Sequence, residues 1–419
     1  MVEGVDRSLS TIVAIARGSQ DAVRWVLVGA TIAVLAGTGS AALLATLDWA
    51  TRTRMANPVL IWAMPFAGAV TAWAYARFGG RASQGNGAIF AELAHPARRL
   101  PLRMAPMVLV GTAVAHLTGA SVGREGTAVQ MAVPLADALT RFGRWTEGDR
   151  RVVISAAMAG GFASVFGTPL AGMVFGLEVR RVGAVRYDAL LACLVAAIGG
   201  NAVTNAWGIR HAEYVVGAVP TLTVRGGLSA AVAGVAFGLA AHAFVLITRG
   251  VSHTLASRVP IAPLRAAVGG VVMVGVSMAL GTDRHLGLSL PLIQSALTGE
   301  VASWDFAVKL VLTAVCVATG FRGGEVTPLF VVGATLGNAL APVLALPAPL
   351  LAAMGLVATF AGASNAPLAS IVAGIELFGA GPAPYLAIAC VVAYLSSGHA
   401  GMYPGQVVEQ PKYARPPNL

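Results

Sequence analysis

The chain has 419 residues, of which 57% are hydrophobic and only 11% charged, and its formal net charge is +10. A soluble domain carries about a quarter charged residues, so this composition excludes an ordinary soluble protein and indicates an integral membrane protein. The positive charge does not indicate nucleic-acid binding, because the arginines concentrate in short connections such as 98–103 and 141–151, as the flanks of membrane segments usually do.

The chain begins with residues 1–20, an expected cytoplasmic segment that has no signal-peptide h-region and should remain attached. Apolar windows that can supply membrane helices follow in chain order at 25–47, 58–76, 105–120, 187–206, 227–248, 262–281, 305–319, 329–361 and 383–397. A full crossing needs about 20 apolar residues, and several windows are shorter. We therefore predict an all-α polytopic bundle with re-entrant or broken helices. Residues 404–419 form a polar, proline-rich tail that is predicted to be poorly ordered.

The reactive residue types do not form a catalytic or metal-binding pattern. Cys193, Cys316 and Cys390 lie in apolar runs without CxxC spacing, and their odd number fits no disulfide framework. The sequence has no HExxH motif, no Walker motif and no clustered His/Cys set, so no metal, cofactor or nucleotide is implied. We expect secondary transport rather than an enzyme.

Two stretches of the chain resemble each other: FASVFGTPLAGMVFGLE at 162–178 and FAGASNAPLASIVAGIE at 360–376. They match at one constant offset at Phe162/Phe360, Pro169/Pro367, Leu170/Leu368, Ala171/Ala369, Val174/Val372, Gly176/Gly374 and Glu178/Glu376. The same offset places Arg124 over Arg322 and Gly126 over Gly324. We interpret this as an internal repeat of two halves, residues 21–206 and 207–403. Transporters often carry such repeats, with the binding site at their interface. The alternative is similarity by composition among helices rich in small residues.

Three glycine-rich breaks interrupt the apolar pattern: SQGNGAIFAEL at 83–93, GREGTAVQM at 123–131 and GFRGGEVTPLF at 320–330. A helix-like run follows each, and the first amides of a helix lack internal partners and carry the positive end of its dipole. Three such helix starts that converge inside the membrane would form an anion site. The alternative is three ordinary loops at the membrane surface.

Glu125 lies in the middle break, and ionisable residues within membrane segments usually mark ion or proton paths. An ionised carboxylate at an anion site can occupy that site itself and leave it when protonated. Its protonation would then be coupled to anion passage. The alternative is an Arg124–Glu125 pair that only satisfies the charge preference of a helix start.

These residues resemble the CLC chloride channels and proton-coupled anion antiporters. The family's three signature stretches, G-S-G-x-P, G-[RK]-E-G-P and G-x-F-x-P, correspond here to GNGAI, GREGT and GGEVTP in the same order. The resemblance covers roughly residues 20–405. It implies a CLC-type fold with two inverted halves per subunit and a homodimer in which each subunit holds its own anion path.

The departures from those signatures are similar to the fluoride-specific branch, the CLC-F fluoride/proton antiporters. Asn86 replaces serine, Thr127 replaces proline, and Glu325 occupies the third stretch. The usual inner proton acceptor follows an FxxEE run, whereas FGLEV here ends on Val179. The resemblance implies export of fluoride in exchange for protons across a bacterial inner membrane, and hence fluoride resistance. A chloride/proton antiporter or a voltage-gated-type chloride channel is the alternative.

By the same resemblance, Glu125 and Glu325 are the gating and proton-coupling residues. The implied anion-binding residues are Gly85, Asn86, Gly87, Gly123, Arg124, Gly126, Thr127, Gly324, Val326, Thr327 and Tyr403. Fluoride is small and strongly hydrated, so its site needs close donors such as the Asn86 amide and main-chain N–H groups. Tyr403 matches a tyrosine that closes the inner end of the path, and Phe90 is a candidate for an aromatic lining. Glu325 has a second interpretation as an N-terminal helix cap.

A remote alternative is an intramembrane serine protease. GASVG at 119–123 satisfies G-x-S-x-G, and His116 or His242 could pair with Ser121. A nucleophile elbow needs a strand–turn–helix context, which this helical run lacks.

Four further charged residues lie near apolar runs: Glu92, Glu178, Lys309 and Glu376. Lys309 is expected to snorkel or pair near a helix end. Glu178 and Glu376 recur at matching places in the repeat, so they are expected to close symmetric helix ends. None of the four belongs to the predicted site.

Overall fold

A computed structural model of the chain describes residues 2–299 and 301–413, with the main chain alone for residues 2–19. The predicted all-α architecture is confirmed. The helices are α1 Val2–Ala56, α2 Met64–Ala74, α3 Asn86–Ala94, α4 Met104–Thr118, α5 Glu125–Asp137, α6 Glu147–Phe166, α7 Pro169–Glu178, α8 Leu190–Ala206, α9 Val224–Arg258, α10 Ala262–Leu280, α11 Leu290–Thr298, α12 Asp305–Thr319, α13 Val326–Leu344, α14 Ala348–Ser364, α15 Pro367–Phe378 and α16 Ala383–Ser396. Two short strands, β1 Arg181–Val182 and β2 Val407–Val408, pair in parallel.

Within the described residues, six helical segments are long and apolar enough to cross a membrane. They are Gln20–Ala56, Pro58–Ala94, Tyr187–Ala206, Val224–Arg258, Ala262–Leu280 and Val326–Leu344. Helices α4, α7, α14, α15 and α16 are apolar but shorter. Because a crossing needs about 20 residues, these helices are too short to cross alone, and their ends are expected within the depth of the membrane. Such ends are tolerated only where protein or a water-lined cavity surrounds the main chain.

Left-handed glycines end two of the short helices at corresponding places. Gly119 follows α4 with φ +90°, and Gly320 follows α12 with φ +99°. A side chain is strained at such angles, so glycine is favoured there. After each glycine the chain runs extended for a few residues and then begins the next helix, α5 or α13.

Reciprocal contacts relate the two halves. Gly123 N donates to Gly324 O at 2.5 Å, and Gly324 N donates to Gly123 O at 2.7 Å. When a two-fold axis relates two halves, a contact that the first half makes to the second is repeated with the two halves exchanged. The carboxylates of Glu178 and Glu376 repeat the pattern, because each accepts from the first amides of the other half's helix, α15 or α7. Helices α7 and α15 are therefore antiparallel, and the predicted halves are inverted.

The structure corrects the register of the repeat near the breaks. Gly119 and Gly320 end corresponding helices and lie 201 positions apart, whereas Gly167 and Asn365, which end α6 and α14, keep the 198-residue offset. Arg124 therefore corresponds to Glu325 rather than to Arg322. The gapless alignment was wrong here because α6 has 20 residues and α14 has 17, so the offset between the halves changes by three within this pair of helices.

Small residues allow the central helices to pack closely. A Cβ on Gly333 of α13 would lie 1.9 Å from the carbonyl oxygen of Gly355 in α14, and one on Gly337 would lie 2.0 Å from that of Leu351. Such contacts drive helix association where lipid removes the hydrophobic advantage. The three cysteines are free and fully buried in this core, as predicted.

The described part of the C-terminal tail contradicts its predicted disorder. Beyond the pairing of β2 with β1, Gln406 Nε2 donates to the carbonyls of Val179 and Ser364 at 2.9 and 3.0 Å. The Lys412 ammonium donates to three acceptors at the end of α16. A polar composition does not reveal partners that other parts of the chain supply. Residues 404–413, called the strap below, are therefore bound to both halves.

Candidate ion path

The three predicted breaks meet inside the protein. The Gly123–Gly324 bridge joins the starts of α5 and α13, and both glycines are buried. Asn86, the first residue of α3, has its side-chain nitrogen 3.6 Å from where a Cβ on Gly126 would lie. Three helix starts thus converge at one buried place rather than forming separate surface loops. Their amides make it suited to an anion.

The Glu125 carboxylate lies at the start of α13 and is fully buried. Its Oε2 accepts hydrogen bonds from Thr327 N at 3.0 Å and from Arg124 N at 3.3 Å, and its Oε1 accepts one from the Thr327 hydroxyl. Arg124 Nε lies 3.4 Å from Oε1. A side-chain carboxylate therefore takes the hydrogen bonds that this helix start would offer to a free anion.

Gly324 approaches the start of α5 more closely than other residues could. A Cβ there would lie 2.8 Å from Gly126 N, 3.0 Å from Glu125 N and 3.1 Å from Arg124 N. Such distances are too short for a side chain, so the bridge requires glycine at this position.

Glu325 has a different environment. It is the N-cap residue of α13, but its side chain makes no cap hydrogen bond. No hydrogen bond or ion pair joins its carboxylate to another described residue. Together with Gly85, Asn86 and Gly87 it lines an open cavity of about 530 Å³, called the large cavity below.

Glu125 faces another, much smaller space. Arg124, Glu125, Tyr214, Thr327 and Phe330 help to line a cavity of about 20 Å³, called the small cavity below. The two cavities share no lining residue. Glu125 lies two positions after Gly123 and Glu325 lies one position after Gly324, yet each carboxylate lines a separate cavity.

Two arginines, Arg249 and Arg322, line the large cavity, and neither was predicted to belong to the site. Arg249 donates to Gly401 O at 2.8 Å. Arg322 donates to Ser83 O at 3.2 Å and stacks over Tyr75 at 3.8 Å. A cleft lined by positive charge concentrates anions. Arg322 lies within the third glycine-rich break, and this placement was the available signal.

Tyr403 lies beside the large cavity, between the lining residues Met402 and Pro404. Its ring stacks on Phe90 at a centroid distance of 5.0 Å, and only 6% of Tyr403 is exposed. Phe90 belongs to α3, the helix that Asn86 begins. The predicted tyrosine and the predicted aromatic lining therefore form one contact.

A row of phenylalanines that was not predicted runs from the small cavity to Tyr403, which lies beside the large cavity. Phe166 and Phe330 line the small cavity and lie 5.0 Å apart. Phe330 contacts Phe360, Phe360 contacts Phe175, and Phe175 contacts Tyr403, at 5.7, 6.2 and 6.2 Å. Aromatic edges carry partial positive charge, so this row can face an anion. The repeated Phe162/Phe360 pair was the signal for it.

The remaining predicted site residues do not all reach a cavity. Gly85 and Gly87 line the large cavity, and Gly85 has φ +55°. Val326 is buried in the first turn of α13. The Thr127 hydroxyl pairs with that of Thr112 at 2.9 Å, and Thr127 lines neither cavity.

The protease alternative lacks its histidine contact. The Ser121 hydroxyl pairs with Thr313 at 2.9 Å. Nδ1 of His116 contacts Thr112 O at 2.8 Å, and Nδ1 of His242 contacts Ser397 O at 3.0 Å. Among the described residues, neither histidine is hydrogen-bonded to this serine.

Lys309 was expected to snorkel or to pair near a helix end, and the structure shows the second behaviour, close to the start of α12. It is fully buried and donates to His285 O, Gly287 O and Ser289 Oγ at 2.7–3.0 Å. These acceptors fix the connection between α10 and α11. No group of residues suited to a metal ion occurs in the described part of the chain.

The family model for voltage gated chloride channels matches residues 67–398. The chain belongs to this family. It is 47% identical to the chloride/fluoride channel protein of Pseudomonas syringae pv. tomato, over 94% of this chain and 88% of that one. The structure of a CLC-type fluoride/proton antiporter is similar with a TM-score of 0.90 and 33% identity, covering 92% of this chain and 98% of that one. A slow cyanobacterial Cl-/H+ antiporter shares the family fold, with a TM-score of 0.73, 20% identity and coverages of 90% and 93%.

Proposed function

We propose that the protein is a fluoride/proton antiporter that exports fluoride, and that it is not an enzyme. The observation that carries the proposal is the position of Glu125, whose carboxylate oxygens take hydrogen bonds from Thr327 at the start of α13. The names of the Pseudomonas syringae relative and of the 33% identical structure support fluoride as the anion.

The coupling follows from competition for one set of donors. While Glu125 is ionised, its carboxylate holds the Thr327 N–H and hydroxyl. Protonation removes its charge and weakens these bonds, so a fluoride ion can take the donors and the neutral side chain can carry the proton away. Fluoride needs the Thr327 donors that Glu125 vacates, and the proton needs the Glu125 carboxylate. The movement of fluoride in one direction is therefore tied to the movement of a proton in the other.

Glu325 supplies the second proton site in this proposal. Val179 occupies the usual place of the inner acceptor and is fully buried. The Glu325 carboxylate has no described partner and faces the large cavity, which is open. A proton that arrives there must pass from this cavity to Glu125, past the Gly123–Gly324 bridge.

Selectivity for fluoride is supported by the kind of donors. The Asn86 amide, which has no hydrogen bond to a described residue, and the Thr327 hydroxyl are short, strong donors. A small, strongly hydrated anion gains more from such donors than a larger anion does, because they replace the water that it loses.

Efflux from liposomes tests the proposal. Vesicles that contain the purified protein are loaded with fluoride or chloride, and the release of each ion is followed with an ion-selective electrode while the internal pH is recorded. We expect fluoride efflux with proton uptake and little chloride efflux. Comparable, proton-coupled chloride efflux would favour a chloride/proton antiporter, and chloride efflux without proton movement would favour a channel.

We also propose a homodimer in the inner membrane of a bacterium. Exposed apolar side chains on α7, α15 and α16 offer a surface for it: Leu170, Leu368, Val391 and Leu395. We assign the arginine-rich connections 98–103 and 141–151 to the cytoplasmic face of this membrane. Native mass spectrometry in mild detergent should show dimers, and monomers alone would contradict this assignment.

A further inference from the structure

A third concave site lies on the arginine-rich face, where the connection after α3 meets the connection after α5. Its volume is about 770 Å³, and none of its lining residues belongs to the ion-path cavities. Four arginines line it: Arg98, Arg99, Arg144 and Arg150. We call it the basic pocket.

Two of the four arginines are held by the protein. Arg150 bonds to Asp137 at 2.6 Å and to Glu92 at 2.8 Å, so its charge is balanced. Arg99 donates to Thr140 O at 2.7 Å. These bonds fix the walls of the pocket.

The other two cations are uncommitted. Arg98 and Arg144 are exposed, and neither guanidinium has a hydrogen bond or an ion pair with any residue the structure describes. The lining carboxylate, Glu147, lies 3.5 Å from Arg151. The pocket therefore offers excess positive charge on a rigid support, which fits a phosphate group.

An aromatic cluster lies at one wall of the pocket. Trp145 packs on Trp25 of α1 at 6.5 Å, and Arg24 lies over both rings. Exposed apolar residues lie near them in the chain: Leu27, two positions after Trp25, is 63% exposed, and Phe142, in the connection that carries Arg144, is 76% exposed. Tryptophan is typical of the membrane–water interface, and basic pockets on the cytoplasmic side suit anionic lipid headgroups.

We infer that the basic pocket binds the phosphate headgroup of an anionic phospholipid of the cytoplasmic leaflet, with its acyl chains along α1. A soluble phosphate compound would use the same guanidinium groups but would gain nothing from the apolar surface of α1. Helices α3 and α5 run from the ion path towards this pocket, so a lipid that joins their connections should stabilise the fold. This inference does not depend on which anion is transported.

The test compares two charge-matched double variants of the full-length protein. Arg98→Gln/Arg144→Gln removes the uncommitted cations of the pocket. Arg77→Gln/Arg258→Gln removes two exposed arginines that lie outside it. The lipids are dioleoyl phosphatidylglycerol and dioleoyl phosphatidylcholine, titrated in mild detergent. Bound lipid is counted by native mass spectrometry, and the melting temperature is measured in parallel.

We expect phosphatidylglycerol to bind and to raise the melting temperature, whereas phosphatidylcholine does neither. The pocket variant should bind phosphatidylglycerol about tenfold more weakly, and the control variant should bind it as the wild type does. Equal weakening in both variants would mean a general effect of charge and would overturn the proposal. An equal rise in melting temperature with inorganic phosphate alone would overturn the assignment to a lipid.

Discussion

The starts of α5 and α13 are corresponding places in the two halves, and they differ in how they use their carboxylates. In the first half Glu125 is the first helical residue, and its carboxylate is buried against Thr327 of the second half. In the second half the carboxylate is one position earlier, at Glu325, and it faces an open cavity without a described partner.

This difference shows how a symmetric scaffold can hold an asymmetric path. Two helix starts related by a two-fold axis would offer two equivalent anion sites. Moving one carboxylate by one position leaves one helix start filled by a side chain and places the other carboxylate in a separate cavity. The two groups can then hold a proton at different stages of a cycle, which two identical sites could not do.

The largest expected effect is that of Glu125→Gln. Glutamine has a similar shape but cannot titrate, so fluoride and proton movement should no longer be coupled. The measurement is proton pumping into liposomes under an imposed fluoride gradient. Exposed Glu213→Gln is the matched control and should pump normally. Pumping that survives in Glu125→Gln would remove this residue from the mechanism.

Glu325→Gln should have the next largest effect. A proton carrier would be lost, so we expect little fluoride exchange from a protein that melts as the wild type does. A helix cap would behave differently, because replacing it costs about 1 kcal/mol of stability and leaves transport intact. The missing cap hydrogen bond favours the first result. Efflux and melting on the same preparation decide between them, and near-normal exchange would exclude the proton role.

Much of this site could be predicted from the sequence. The glycine breaks, Glu125 and Glu325 stand out because polar residues are costly inside a membrane. The register of the repeat could not be predicted, since Arg322 happens to match Arg124 at the wrong offset. The hydrogen bond of Thr127 could not be predicted either, because its partner Thr112 lies on another helix. Contacts between distant segments, such as the phenylalanine row, leave only weak signals in one sequence.

Two threonines sharpen the comparison between the halves. The Thr327 hydroxyl donates to Glu125, whereas that of Thr127 pairs with Thr112. A hydrogen bond to a charged group contributes about 1.5–3 kcal/mol, so Thr327→Val should slow fluoride turnover about tenfold or more. Thr127→Val should cost about 1 kcal/mol of stability and leave turnover near normal. Initial efflux rates check both, and equal slowing would show that Thr127 also serves the path.

The swapped glutamates test the symmetry itself. Glu178 is 6% exposed and accepts from two amides at 2.8–2.9 Å, while Glu376 makes the same bonds but is only half-buried. A buried acceptor is more costly to disturb, so Glu178→Gln should lower the unfolding free energy by about 1–2 kcal/mol and Glu376→Gln by about 1 kcal/mol or less. Thermal unfolding of both variants in the same detergent shows which loses more stability. A larger loss in Glu376→Gln would contradict this explanation.

The smallest expected effect concerns the strap, which borders the Glu325 side of the path and not the Glu125 side. Pro404 lines the large cavity, and further along the strap Glu409 pairs with Arg181 at 2.8 Å.

The hydrogen bond from Arg181 lowers the pKa of the Glu409 carboxyl below its usual value. As pH falls, the Glu409 carboxyl therefore takes up a proton at a higher pH in the unfolded chain than in the folded one. The ion pair stabilises the strap fully above the usual carboxyl pKa. This stabilisation is lost as pH falls through the lower pKa of the folded protein. The strap amides of Glu409 and Gln410 donate to Val182 O at 3.1 and 3.2 Å, so their hydrogen exchange, corrected for intrinsic rates, should show protection about twofold greater at neutral pH than in acid. In Glu409→Gln that difference should disappear. Amides of α5 near Glu125 should exchange alike in both proteins, because the strap does not border the small cavity. A pH-dependent difference that persists in Glu409→Gln would show that another group holds the strap.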